Sequence, residues 1–357
     1  MQRFLKSAAI LTALLLLSLL GGGCRESQSP GAAEKAKKIT ITDSYGRQVE
    51  VPSPPGKIIS LNSNVTEMLY VLSMGDKIIA LSDDQRFPPQ AKEKQTVGPT
   101  FTPNVEKIVA QRPDLVFAYG PSGGPALKKE LAEQIEAAGI PLVYLDLYKP
   151  RSFASDLRTL GKIVGREAEA EKYVAFVEKY FRLIEERLQK VKPEERVKVY
   201  LEGRTGDYVT YAQGSGGDER IALAGGVNIA ANEPGRYPKV SAEWVLAQNP
   251  QVVIKEVLHT NIPMGYGITE PGKLEEMRKN IMKRPGWEGL DAVKKGRVYL
   301  ISTELSGSPR DVVLLSYYAK WFYPQLFADL DPAAVHREIL EKFYKLEYKG
   351  IWVYPEK

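Results

Sequence analysis

Cysteine is nearly absent: Cys24 is the only one in 357 residues. No disulfide can therefore close within the chain. Histidine is almost as scarce, with only His259 and His336, so a bare transition-metal site would have to rely mainly on carboxylates. Also missing are a GxxxxGK(S/T) phosphate loop, a GxSxG nucleophile elbow and an HExxH zinc helix. No set of residues argues for catalysis, and the chain reads as a non-enzyme with no cofactor of its own. The formal net charge of +5 is only mildly basic and gives no reason to invoke nucleic acid. Long apolar runs are missing too, apart from residues 8–20, which only Thr12 and Ser18 interrupt.

That run explains the position of Cys24. Arg3 and Lys6 precede it and Gly21, Gly22 and Gly23 follow it. A basic head, a short apolar stretch and a small-residue site make a secretory signal peptide over 1–23. The stretch is too short for an ordinary helix across a ~30 Å hydrocarbon core. The segment resembles a bacterial lipoprotein signal, with Cys24 as the first mature residue and the point of lipid attachment. One departure is that Gly21 stands three residues before the cysteine, where leucine is usual. Residues 24–38 are polar and small and read as a lipidated, flexible tether.

The remainder is long enough for two lobes. Over 39–150, an alternating stretch around "SYGR" reads as a hairpin. The runs "KIISL", "KIIALS", "PDLVFAYG" and "PLVYLDL" read as short buried strands separated by helices, the pattern of a mostly parallel covered sheet. Residues 151–193 carry no strand signal. Tyr173, Phe176, Val177, Tyr180, Phe181, Ile184 and Leu188 keep helical spacing, so the segment is expected to be one long helix linking the lobes. From 194 to 357 the strand–helix alternation returns, with "YVTYA" expected as a strand and a helix over 216–225. "QGSGGDER" looks like a surface loop, and His336 looks like a solvated helical residue.

A repeat supports two related lobes. "VEKIVAQRPDLVF" (105–117) and "AEWVLAQNPQVVI" (242–254) align without gaps. Glu106 matches Glu243, Ala110 matches Ala247, Gln111 matches Gln248 and Pro113 matches Pro250. Each reads as helix, proline turn and buried strand. Thr102 or Asn104, and Ser241, are positioned to cap the two helices. Asn64 and Glu67 have the spacing of a capping box, which gives Glu67 a structural role.

Together "ITDSYGRQVEVPSPPGKIISLNSNVTEMLYVL", "VGPTFTPNVEKIVAQRPDLVFA", "AAGIPLVYLD", "IALAGGVNIAANEPGRYPKVSAEWVLAQNPQVVI", "AVKKGRVYLI" and the "SPR" of "LSGSPRDVV" carry a resemblance over nearly the whole mature chain. The sequence resembles the periplasmic-binding-type lipoproteins of ABC importers for iron–siderophore complexes, haem and cobalamin. That resemblance implies an α/β fold of two lobes with mostly parallel sheets bridged by one long helix, the class III substrate-binding arrangement. It implies a monomer outside the cell membrane that hands cargo to an ABC permease dimer, docking through Glu106 and Glu243.

The cargo cleft is expected among loops that follow strand ends. First-lobe candidates are Asn62, Ser63, Asn64, Arg86, Phe87, Thr100, Phe101 and Tyr119. Second-lobe candidates are Arg204, Tyr208, Tyr211, Arg236, Tyr237, His259, Tyr266 and Arg310. By motif, relatives place Tyr119, Thr100 and Tyr237 toward ligand, although some cobalamin binders carry tryptophan where this chain has Thr100. Aromatic faces suit a large, flat or greasy ligand, and arginines suit its oxygens. The surplus of 19 tyrosines over 10 phenylalanines fits such a site. A ferric siderophore-type chelate is the leading expectation, with cobalamin or haem next. A bare metal ion, or an enzyme or adhesion module on the same scaffold, fits less well.

Overall fold

The computed structural model describes residues 37–121 and 126–356. The signal peptide, Cys24 and most of the tether lie outside the described residues. Strands β1 (Lys37–Thr42) and β2 (Gln48–Ser53) pair antiparallel, as the hairpin pattern predicted. The Asp43 carboxylate closes their turn by accepting from the backbone N–H groups of Tyr45 (2.9 Å) and Arg47 (3.0 Å), the usual role of aspartate in a tight turn.

The first lobe then alternates strand and helix: β3 (Ile58–Ser60), α1 (Ser63–Val71), β4 (Ile78–Leu81), β5 (Gln95–Thr96), α2 (Val105–Ala110), β6 (Leu115–Ala118), α3 (Lys129–Ala137) and β7 (Leu142–Tyr144). Its five-stranded sheet has the order β5-β4-β3-β6-β7, every pair parallel. Two helices, α4 (Phe153–Val164) and α5 (Glu167–Leu188), lead to the second lobe.

The second lobe contains β8 (Lys198–Glu202), α6 (Gly216–Leu223), β9 (Val227–Asn228), α7 (Ala242–Gln248), β10 (Val252–Val257) and β11 (Gly265–Tyr266). It continues with α8 (Gly272–Met282), α9 (Asp291–Lys294), β12 (Val298–Ser302), α10 (Asp311–Phe322) and α11 (Pro332–Glu338). A π-helical turn (Ile339–Tyr344) precedes β13 (Gly350–Ile351) and β14 (Val353–Tyr354). The sheet order is β14-β12-β10-β8-β9. Only β14 runs antiparallel to its neighbour. "YVTYA" is not a strand of this sheet; it forms only isolated bridges, Glu202 with Thr210 and Val209 with Lys239. Tyr208, at φ +62°, turns the chain there, so extended pairing cannot start at that residue. The glycine cluster is half helix: Ser215 Oγ accepts from the Asp218 N–H and caps α6.

Side chains alternate across each strand, and this divides the interior. Ile59, Val116 and Leu142 face an outer core with Ile108 and Ile135. Val253, Val298 and Leu300 face another with Leu274 and Trp287. The opposite faces share a single apolar core. It runs from Ile58, Val65 and Leu69 through Tyr173, Val174 and Val177 of α5 to Ile254, Val312 and Leu315. The linker was expected to be one helix over 151–193. It is broken because Gly165 adopts φ +64° as a left-handed C-cap of α4, a conformation natural to glycine. The helical spacing noted above belongs to α5, which packs against both α4 and α10.

The internal repeat holds in three dimensions. Asn104 and Ser241 cap α2 and α7, each accepting from a helix backbone N–H; Thr102 does not act as the cap. Arg112 (φ +48°) and Asn249 (φ +44°) turn left-handed at matching positions before β6 and β10. The two lobes therefore share helix start, turn and strand.

Candidate ligand-binding site

The lobes meet through loops at the carboxyl ends of their strands. Phe87, just after β4, packs edge-on against Tyr266 of β11 at 5.8 Å between ring centroids. Carboxyl-end loops are where open parallel sheets bind ligands. Each lobe places tyrosines there. In the first, Ser63 Oγ and Tyr119 OH are 2.9 Å apart and hydrogen-bonded. Phe101 and Tyr148 lie 5.9 and 6.3 Å from the Tyr119 ring. Thr100 Oγ1 donates to Asp84 at 2.6 Å. In the second lobe, Tyr211 and Tyr237 pack edge to face at 5.6 Å. Tyr237 is the more open ring, 51% exposed.

Both inner phenols are held neutral. Burial pushes Tyr119 up. Burial also raises Tyr211 well above its ordinary value, and the neighbouring Glu256 carboxylate adds to that. Glu256, at the end of β10, is 1% exposed and accepts from the hydroxyls of Tyr211 and Ser306. Gly217 lets the Tyr211 ring lie close to α6: a Cβ there would stand 2.6 Å from Tyr211 Cγ. Arg86 and Arg204 are exposed at the loop surfaces, and Arg236 shares the Tyr211 loop through the bond from Ala212 N–H to its carbonyl. His259 is half-buried in the loop after β10.

Several predicted contacts belong elsewhere. Asn62 is completely buried; it caps α1 and donates to the Leu145 carbonyl at 2.6 Å. Asn64 is buried and donates to the Asp146 carbonyl. The expected Asn64–Glu67 capping box is therefore replaced by an Asn62 cap. Tyr208 leaves the aromatic group and packs against Trp287 and the Arg284 guanidinium. There it borders a buried cluster in which Glu202 accepts from Lys255 and Arg284. A depression of about 560 Å³ beside Lys255 and Arg284 is lined by second-lobe residues alone. Phe87 is buried beneath Arg310, whose guanidinium lies 4.0 Å above its ring. Tyr266 packs between Phe87 and Trp352, and Arg310 is wholly buried. These groups hold the lobes together.

Glu256 and Tyr148 were missed. The signal for Glu256 was available: "VVIKEV" sets two charges in an otherwise apolar central strand, and both are buried. Tyr148 had no signal beyond its position after β7.

His336 is not solvated. It is 1% exposed, packs 4.2 Å from Trp352 and 5.7 Å from Tyr348, and faces Arg310 Nη1 across 3.5 Å. Arginine can only donate, so His336 Nε2 is the acceptor and the ring is neutral. Burial, then the Arg310 charge, hold it well below 6.5. Its contribution is complete above about pH 6.5 and falls as pH drops, because only the unfolded chain then takes the proton. The expected loss approaches about 1.4 kcal/mol per pH unit. Asp311, which burial pushes up to about 6, acts in the opposite sense, so the comparison is with His336→Gln. Denaturant titrations from pH 7.5 to 5 should show the native chain losing stability relative to this variant below pH 6.5. Parallel curves would exclude a buried neutral histidine.

Two mostly parallel sheets with tyrosine-lined carboxyl-end loops meeting across one interface, joined by a bridging helix, define a two-lobe solute-binding protein. The sequence profile described as "Periplasmic binding protein" matches residues 58–305, and the chain belongs to that family. It is 26% identical over 335 residues to the ABC transporter substrate-binding lipoprotein YvrC of Bacillus subtilis, covering 91% of this chain and 99% of that one. A vitamin B12-binding protein of Vibrio cholerae is 33% identical over 209 residues, covering 57% of this chain and 71% of the relative. Among solved structures, the TroA-like periplasmic binding protein FepB of Veillonella parvula superposes with a TM-score of 0.73 at 24% identity, covering 88% of this chain and 99% of the other. The vitamin B12-binding protein BtuF of Vibrio cholerae gives 0.61 at 24% identity, with 76% and 98% covered. The expected fold class is the observed one, and the chain is a substrate-binding protein of an ABC importer. No helix among the described residues is long and apolar enough to cross a membrane.

Proposed function

We propose that the chain captures a corrinoid of the cobalamin type between its lobes and delivers it to the permease. The carrying observation is that each lobe offers a tyrosine pair whose inner phenol is neutral and already engaged by protein, Tyr119 with Ser63 and Tyr211 with Glu256. Such walls offer ring faces and neutral polar edges, which suit a bulky organic shell rich in amides. Arg310, counted in sequence among the contacts for an anionic chelate, is spent inside the protein. The B12-binding relatives support the same reading. A ferric siderophore is the second reading, favoured by the exposed arginines Arg86 and Arg204. Tyrosine-fluorescence titration of the purified chain should show saturable one-to-one binding of cyanocobalamin and weaker binding of ferric siderophores and haem. Indifference to all three would end the metal-chelate reading; a preference for the siderophore would select the second.

Lipid on Cys24 would keep the loaded protein at the membrane. In cells, Cys24→Ser should move the chain from the membrane fraction to the soluble fraction. If the variant stays with membranes, Cys24 is not the anchor.

A further inference from the structure

One charged contact between the lobes is used neither by the cleft walls nor by the docking acids. Glu67 stands in α1 of the first lobe; Arg310 immediately precedes α10 of the second. Arg310 Nε donates to Glu67 Oε2 at 3.2 Å, and the Tyr344 hydroxyl donates to the same oxygen at 2.8 Å. Arg310 Nη2 donates to the Glu304 carbonyl at 2.7 Å. Phe87 covers one face of the guanidinium, and His336 stands beyond Nη1. The side chains of Arg310 and Glu67 are 0% and 6% exposed.

A buried ion pair is a poor way to gain stability, because desolvation consumes much of the attraction; an apolar pair of similar volume often does as well. It is a sensitive gauge of distance. Rings such as Phe87 and Tyr266 can slide over one another at small cost. A guanidinium drawn away from its carboxylate in a dry interior cannot, since it leaves a charge unpaired. Arg310 is also tied to its own lobe through Glu304, and Glu67 lies in the helix capped by Asn62, beside Ser63 of the cleft.

The geometry points to Glu67 and Arg310 as positioning residues that fix the separation of the two carboxyl-end edges, and with it the size of cargo the cleft accepts. This rests on the cleft reading above. Neither residue need touch the cargo.

Spin labels on Thr102→Cys and Lys239→Cys, both exposed and one on each lobe, report the separation in a Cys24→Ser background. The chain with its native pair should give one narrow distance. Glu67→Gln, which keeps an acceptor but not the charge, should give a distance spread between that of the parent and that of the double variant. Glu67→Met with Arg310→Met should melt within a few degrees of the parent yet give a broadened or shifted distance. If only about a tenth of its conformations remain competent, cyanocobalamin affinity falls about tenfold. Its preference over the smaller cobinamide should fall as well. Unchanged distances in the double variant overturn the proposal, as does weaker binding without any change in distance. Should the double variant fail to fold, Arg310→Lys keeps the charge but shortens the reach; an unaltered distance there overturns it equally. The distances are read without cargo, so a failure to bind cobalamin counts against the corrinoid reading and leaves the spacing result standing.

Discussion

Glu106→Ala and Glu243→Ala together should reduce cargo uptake by cells about a hundredfold while leaving the dissociation constant within about twofold. Both acids sit in the first turn of short helices that begin at matching caps, and both are exposed. Glu243 is held below the usual carboxylate range by a backbone N–H and the Ser241 side chain at its helix start. It is therefore charged whenever a basic partner approaches. Charge pairs across protein interfaces couple strongly enough that losing one can cost about tenfold, and two on separate lobes about the product. Neither residue contacts the tyrosine walls, so affinity should not move. Each single variant should show an intermediate loss. Full uptake by the double variant, or an equal fall in affinity, removes the docking role.

Glu202→Ala should cost about 3–5 kcal/mol of stability. Glu202 is 1% exposed. It accepts from Arg284 at 2.6 and 2.9 Å, from Lys255 at 2.9 Å and from the Tyr208 N–H at 3.2 Å. Those partners hold its carboxyl below the usual range despite burial. Removing it leaves Lys255, itself 5% exposed, with only the Gly203 and Gly206 carbonyls. It also leaves Arg284, which stacks on Tyr208 and Trp287, with the exposed Asp207 as its remaining carboxylate partner. For a chain of this size the melting temperature should drop by roughly 5–8 °C. Glu202→Gln should fall between, since it keeps an acceptor but not the charge. A melting temperature unchanged in Glu202→Ala would mean that the two cations need no buried counter-charge.

What the sequence made legible was local. The cap, the left-handed turn and the following strand recur at 104–118 and 241–257 because each depends on neighbours within a few residues. The hairpin and the apolar stripe of α5 are likewise short-range patterns. Gly165 was a visible stop inside the linker, but the apolar spacing on either side masked it. The site was harder to read because residue type does not say which face a side chain takes. Asn62 and Asn64 look like cleft residues until their amides are seen bonded to the carbonyls of Leu145 and Asp146, more than 80 positions away. Arg310 and His336 were misjudged for the same reason: the partner that buries Arg310 is Glu67, 243 positions earlier. Tyr208 and Tyr211 are three residues apart, yet Tyr208 packs on Trp287 whereas Tyr211 packs on Tyr237.

The interior that runs without a break through α5 has a consequence for how such a molecule can diversify. Neither half is a self-sufficient folding unit, since cutting the chain near Gly165 would strip Tyr173, Val174 and Val177 from the first lobe and bare its apolar inner face. Heating should accordingly melt both lobes in a single transition. Exchange of whole lobes between relatives would meet a mismatched seam, whereas the loops bearing Phe101, Tyr148 and Tyr237 can be rewritten with that shared interior left intact. New appetites are then acquired at the rim, on an unaltered chassis.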